Sequence, residues 1–151
     1  MIAKEKVVDL SYDADRKILY ATWTVDFQSA VDNEQIKEGF ARYLHFIESH
    51  DVRAVLMDFY KVCYPITEDL YGWAIDNVVR RSYSQGIKIF AYVAPEDPIS
   101  RFGVDMYIQE LVMRLKNTGL GAKSDIKRNI FQTRSQAEQW INDRLALMSD
   151  N

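Results

Sequence analysis

Val8, Leu10 and Tyr12 alternate with Asp9 and Ser11, the period of two that marks a strand with one buried face. A polar link, Asp13-Ala14-Asp15-Arg16, separates it from a second β-rich run, Ile18-Leu19-Tyr20-Ala21-Thr22-Trp23-Thr24-Val25. Two such runs so closely joined predict an antiparallel hairpin. The period then changes. Ile36, Phe40, Leu44 and Ile47 recur at steps of four, four and three, with Tyr43 beside them, which predicts an amphipathic helix. Asp32, with Gln35 three residues on, has the form of a capping box at its start, and His50-Asp51 closes it. After Arg53, Ala54-Val55-Leu56-Met57-Asp58-Phe59 is apolar at both alternating sets of positions, as expected of a central strand covered on both faces.

A second helix is predicted after Tyr64-Pro65-Ile66, with Thr67 as its N-cap and Glu68 and Asp69 where the helix dipole favours negative charge. Leu70, Trp73, Ala74, Asn77 and Val78 form its main face, Ile75 and Val79 widen the stripe, and Gly86 stops it. Ile87-Lys88-Ile89-Phe90-Ala91-Tyr92-Val93 reads as a strand ended by Pro95 and Pro98. Val104, Tyr107, Ile108, Leu111, Val112 and Leu115 give the strongest helical pattern, with Arg114 and Lys116 in its last turns and Gly119 at its end. Gly119 to Lys123 reads as a loop, Asn129 to Gln132 as a short strand, and Thr133 or Ser135 as the cap of a last helix bearing Ala137, Trp140, Ile141, Leu145 and Met148.

The order ββαβαβαβα predicts one layered α/β domain over residues 1–151, with a mixed sheet of about five strands and about four helices. Hydrophobic residues make up 48% of the 151 and aromatics 13%, which excludes disordered and low-complexity classes and gives a real core. No apolar run is long enough for a membrane span, and Met1 to Lys6 do not form a secretory signal. Nineteen Lys and Arg against 22 Asp and Glu leave a net charge of −3. The small basic groups Arg80-Arg81 and Lys123, Lys127, Arg128 carry no recognition motif, so the expectation is a solvated face and no nucleic-acid partner.

Cys63 is the only cysteine, which excludes an internal disulfide and predicts a reducing, cytoplasmic setting. With His45 and His50 five apart and off a shared helical face, no metal site is expected. GxSxG, GxxxxGK[ST] and HExxH are all absent, and Gly119-Leu120-Gly121 follows a helix where a dinucleotide fingerprint follows a strand. No cofactor and no enzymatic activity are expected, and Cys63 is read as a packing residue without a base placed beside it.

The most informative stretch is Asp58-Phe59-Tyr60-Lys61-Val62-Cys63-Tyr64-Pro65-Ile66-Thr67, because ligands of open α/β sheets collect beyond the carboxyl ends of strands. It offers a carboxylate (Asp58), the Cys63 thiol, the aromatics Tyr60, Tyr64, Tyr71 and Trp73, and a helix start at Thr67, with Ala94 to Asp97 leaving the neighbouring strand on the same side. A structural reading competes: Asp58 caps a turn, the tyrosines pack on helices and Thr67 only caps.

At this strand-loop-helix segment the sequence resembles the STAS family, the fold of anti-sigma-factor antagonists and of sulphate-transporter cytoplasmic domains. Ala54 to Phe59, an apolar strand ending in Asp, followed by Val62 and Pro65-Ile66-Thr67, carries the likeness, with Ile89 to Val93 and Ile130-Phe131 behind it. Phosphorylated antagonists have an Asp-Ser-Ser-Gly-like stretch at this helix start. Here Ile66-Thr67-Glu68-Asp69 stands in its place, so Thr67 is the single candidate phosphosite, beside two carboxylates. The resemblance is to divergent STAS- or SEC14-like bacterial domains. It implies a non-enzymatic regulatory module that presents Tyr60 to Tyr64 and the helix from Thr67 to a protein partner. The alternative it implies is a SEC14-like binder of an apolar small molecule or lipid, lined by the aromatic loop and the second and third helices. A homodimer through the edge hairpin strand is a further expectation.

Overall fold

The computed structural model describes residues 6–26, 31–118 and 126–149. Strands β1 (Val8–Asp13), β2 (Ile18–Val25), β3 (Ala54–Val62), β4 (Ile89–Val93) and β5 (Lys127–Phe131) form one sheet in the order of the chain. β1 runs antiparallel to β2, with Val8 opposite Trp23, and every later pair is parallel. Asp13 Oδ1 folds the hairpin link back by accepting from the amides of Asp15 (3.0 Å) and Arg16 (3.1 Å). Lys17 completes the turn in the left-handed region, at φ 59°.

Between these strands lie α1 (Asn33–Ser49), α2 (Glu68–Ala74), a π-helical turn (Ile75–Val79), α3 (Arg80–Ser84), α4 (Pro98–Thr118) and α5 (Arg134–Ser149). The alternation within β3 separates two layers. Val55 and Met57 face a large core that takes in Ile36, Tyr43 and Leu44 of α1, Leu70 of α2 and Val78 of the π turn, with Tyr107 and Ile108 of α4 against it. Ala54 and Leu56 face a smaller core closed by Ala137 and Ile141 of α5. β3 is thus the central strand covered on both sides that its unbroken apolar run predicts. The single α/β domain with a mixed five-stranded sheet is what the hydrophobic pattern describes.

Local chemistry places the helices. The Asp32 capping box forms, Asp32 Oδ1 accepting from the Gln35 amide at 2.9 Å while Gln35 Oε1 accepts from the Asp32 amide. Gly39 lets α1 approach the hairpin, since a Cβ there would lie 2.8 Å from Val7 Cγ2 and 3.0 Å from the Trp23 ring. Thr133 rather than Ser135 caps α5, its hydroxyl accepting from the Gln136 amide. Gly86, at φ 83°, follows the end of α3 as expected.

Four local expectations are corrected. The helix from Thr67 is not continuous α-helix: its wide π turn swings Asn77 off the apolar face to the surface, where its amide donates to the Trp73 carbonyl. Thr67 sits at the cap position, yet its side chain makes no capping bond. Pro98 opens α4 instead of ending the region after β4, because Asp97 caps that helix and proline suits its first position. β5 begins two residues early, at Lys127, and ends at Phe131. The loop expected at Gly119 to Lys123, with the helix stop at Gly119, lies outside the described residues.

Candidate functional site

The carboxyl end of β3 is shaped by a bulge. Thr22 pairs with Asp58 but Thr24 pairs with Lys61, so β3 carries one extra residue here. Asp58 takes up the freed amide, its Oδ1 accepting from Tyr60 N at 3.0 Å, and its Oδ2 receives Arg134 Nη1 at 3.3 Å. Arg134 also donates to Thr22 Oγ1 (3.0 Å) and lies over the Tyr20 ring. Asp58 therefore faces the α5 layer, buried and paired. It holds a bend in a strand.

The extra residue also changes which side chains face the α1–α4 layer: Met57 and Phe59 before the bulge, then Val62 where a regular strand would present Lys61. β3 runs on through Tyr60 to Val62, so three of the five residues from Tyr60 to Tyr64, expected as loop, are strand. The chain beyond Val62 is pinned. Cys63 N donates to Val25 O (2.7 Å), Glu96 N to Tyr60 O (3.2 Å), and Tyr64 N to the fully buried Ser100 hydroxyl, which in turn donates to the Asp97 carboxylate at 2.8 Å. The segment after Val93 does lie at this same rim, beside Tyr60.

Behind the rim, between the sheet and α1–α4, lies an apolar cavity of about 70 Å³ that opens toward solvent. The sheet supplies Trp23, Met57, Phe59, Phe90 and Tyr92; α1 supplies Phe40 and Tyr43; the π turn and α3 supply Val78, Val79, Ser82 and Tyr83; α4 supplies Val104 and Tyr107. Six of the nine tyrosines line it: Tyr43, Tyr64, Tyr71, Tyr83, Tyr92 and Tyr107. No charged side chain does so among the described residues.

Three phenols converge in this wall. Tyr92 and Tyr107 meet edge to face at 6.4 Å between ring centres, and the Tyr43 hydroxyl lies 3.2 Å from Ser82 Oγ. Ser82 Oγ donates to the Val78 carbonyl at 2.9 Å, so Tyr43 is the donor in their contact and its oxygen keeps acceptor capacity. Burial pushes all three phenol pKa values up, Tyr107 to about 12. Charged groups stand outside: Lys37 over the Trp73 ring, Arg114 paired with Asp76 and Glu110, and Arg128 over the Tyr83 ring. Desolvation lowers the Arg128 pKa to about 10.

The structure brings two of the candidate residues to this cavity, Tyr64 and Tyr71, and places the others elsewhere. Tyr64 is fixed by its hydroxyl, which donates to Asn33 Oδ1 at 2.6 Å. Trp73 is half-buried against Phe40, Tyr60 is 43% exposed and Thr67 is exposed at the surface. The Cys63 thiol is half-buried; desolvation, then Asp97, Asp26 and Glu96, raise its pKa, the reverse of what a nucleophile needs. His50 stacks on Phe46 at 3.9 Å, away from Cys63's strand end. No three His, Cys, Asp or Glu side chains gather as metal ligands among the described residues, and no helix there is long and apolar enough to cross a membrane.

Sequence reading overlooked Tyr43, Tyr92 and Tyr107, which sit within apolar stripes and read as packing. Their signal was a phenol where a phenylalanine would fill a stripe, since a buried hydroxyl requires a partner. No protein-family model, no curated protein and no solved structure matches this chain.

Proposed function

We propose that this domain binds an apolar small molecule in the cavity between its sheet and α1–α4. The observation that carries this is the cavity itself: a mouth open to solvent, a wall of aromatic and aliphatic side chains, and a few hydroxyls in place of charges. Protein interiors normally close such space, and an unfilled void of this size costs about 1.7 kcal/mol at roughly 24 cal/mol per Å³. A lost contact of that order is recovered when a guest fills the space. No nucleophile paired with a base stands in the wall among the described residues, and the reading is of binding without turnover, in the cytoplasm, where the lone Cys63 stays reduced.

The test is native mass spectrometry on protein purified without organic solvent, together with the NMR shift of the Met57 methyl group on titration with toluene. An adduct of small-molecule mass, or a saturable Met57 shift, is expected. A clean mass spectrum and an unmoved Met57 signal together would refute the reading.

A second reading, a divergent STAS-like module that docks a protein partner, draws support from the rim. Tyr60, Ile99 and Phe102 are exposed there, the last two at 64% and 68%, at the β3 end and in the first turns of α4. Reversing the charge of Glu68 and Asp69, or replacing Tyr60 and Phe102 by Ser, then abolishes capture of a specific partner. Unchanged capture counts against it. Thr67 phosphorylation belongs to this reading, and its absence in protein recovered from the native host would remove the switch from it.

A further inference from the structure

We propose that the cavity selects an uncharged aromatic-ring compound bearing one hydrogen-bonding group, and rejects carboxylates and ammonium ions of the same shape. This rests on the cavity being a ligand site. Ten of its lining residues are aromatic: Trp23, three phenylalanines and six tyrosines. Ring guests gain from offset and edge-to-face contacts with such a wall that a flexible chain cannot match.

The charge preference arises from what the wall lacks. A buried anion needs a cation or several donors, and a buried cation needs a carboxylate or a fully formed aromatic cage. Neither Lys, Arg, His, Asp nor Glu lines the space among the described residues. Arg128, a cation on the edge strand β5, lays its guanidinium on the face of Tyr83 and is not in the wall. Arg114 is held between Asp76 and Glu110. The phenols sit in the same environment: burial raises the pKa values of Tyr43, Tyr92 and Tyr107, and the same desolvation disfavours a guest carboxylate.

The hydrogen-bonding group is called for by those same phenols. Among the described residues only Tyr43 of the three has a hydrogen-bond partner outside the set, Ser82, so the three together keep donor and acceptor capacity toward the space they line. A guest hydroxyl or carbonyl meets that capacity, whereas a hydrocarbon leaves it unused.

The experiment is an NMR titration of the full chain, read at the Met57 methyl, with five probes: toluene, p-cresol, 4-methylbenzoate, 4-methylbenzylammonium and 1-heptanol, the last with as many heavy atoms as p-cresol. At pH 7, p-cresol should bind about fivefold tighter than toluene, the worth of one net hydrogen bond. The two ions should bind at least about tenfold more weakly than p-cresol, and 1-heptanol more weakly than p-cresol. In the folded Tyr43→Phe, Tyr107→Phe double variant, where Tyr92 alone of the three keeps its hydroxyl, the preference for p-cresol over toluene should shrink while toluene affinity stays. An ion binding within twofold of p-cresol, 1-heptanol binding tighter, or equal affinity for p-cresol and toluene in the wild-type chain overturns the inference while leaving the cavity as an apolar site. If no probe binds, both fall. The wild-type series alone decides charge and shape should the double variant fail to fold.

Discussion

Ala74→Leu is the sharpest test of whether the space under the sheet is open. Ala74 closes α2 just before the π turn, is 4% exposed and lines the cavity. Leucine adds three carbons, worth about 2.4 kcal/mol at roughly 0.8 kcal/mol per buried methylene. Fixing the longer side chain returns roughly 0.5–1 kcal/mol of that. The void that the new atoms occupy, about 70 Å³, corresponds to about 1.7 kcal/mol by the cavity relation. Both routes give a gain of about 1.5 kcal/mol, and helix propensity barely opposes it, since Leu ranks close to Ala. Urea denaturation at unchanged m-value should show the midpoint rising by roughly 0.5–1 M. Toluene affinity, read at Met57, should fall at least about tenfold in the same protein. A variant that loses more than about 1 kcal/mol, as overpacking of a closed core does, while binding toluene as before, refutes the picture of an open, ligand-accessible cavity.

Three further outcomes concern single sites. Gly103→Ala should destabilise by about 1–3 kcal/mol in urea titration despite the helix propensity of Ala, because a Cβ would lie 2.7 Å from Ile66 Cβ and 2.8 Å from its carbonyl oxygen; equal or greater stability would show that α4 can yield there. Cys63 should alkylate more slowly than a free thiol at pH 7 and accelerate only as the pH passes its ordinary 9.0, since desolvation and then Asp97, Asp26 and Glu96 raise its pKa; a fast reaction at pH 7 would contradict this. The Asp97 carboxyl is held below its ordinary 3.8 by the Ser100 amide and hydroxyl, so its contribution is present above that pH and is lost as pH falls through the lower folded value. Asp97→Ala should accordingly be less stable than wild type at pH 7, with the gap narrowing in acid; a gap that widens below pH 3.8 would reverse the assignment.

The strands and their order were legible because period and length speak locally: alternation in Val8 to Tyr12, an unbroken run in Ala54 to Phe59, and helical steps between. Parallel pairing then followed from alternating strands and helices. The site was less legible. Asp58 attracted attention as a carboxylate at a strand end, yet it serves the bulge, which falls between Asp58 and Lys61, past the apolar run, where too few residues remain for alternation to betray an extra one. The π turn was nearly silent: Ile75, Val78 and Val79 fit an apolar stripe at either helical pitch, and only the polar Asn77 stood out of place on it. Tyr43 and Tyr107 stood in the helical stripes in plain view, but a stripe residue reads as packing until the opposing wall is known.

Both silent irregularities are insertions, and they face one another across the same space. The bulge adds a residue to β3 so that Val62 turns inward after Met57 and Phe59. The π turn widens its helix so that the neighbours Val78 and Val79 both reach the cavity, with Ser82 and Tyr83 one turn on. A regular strand would point Lys61 at this layer, and a regular helix would pull part of that surface away. Each irregularity forgoes regular hydrogen bonding, and a fold carries such strain where the surrounding structure fixes it and the site uses it. Asp58, locked by Arg134 and by the Tyr60 amide, is the part that fixes one of them. The residue that first looked like chemistry at the rim thus acts one layer away, by holding the strand in the shape that leaves the aromatic space open.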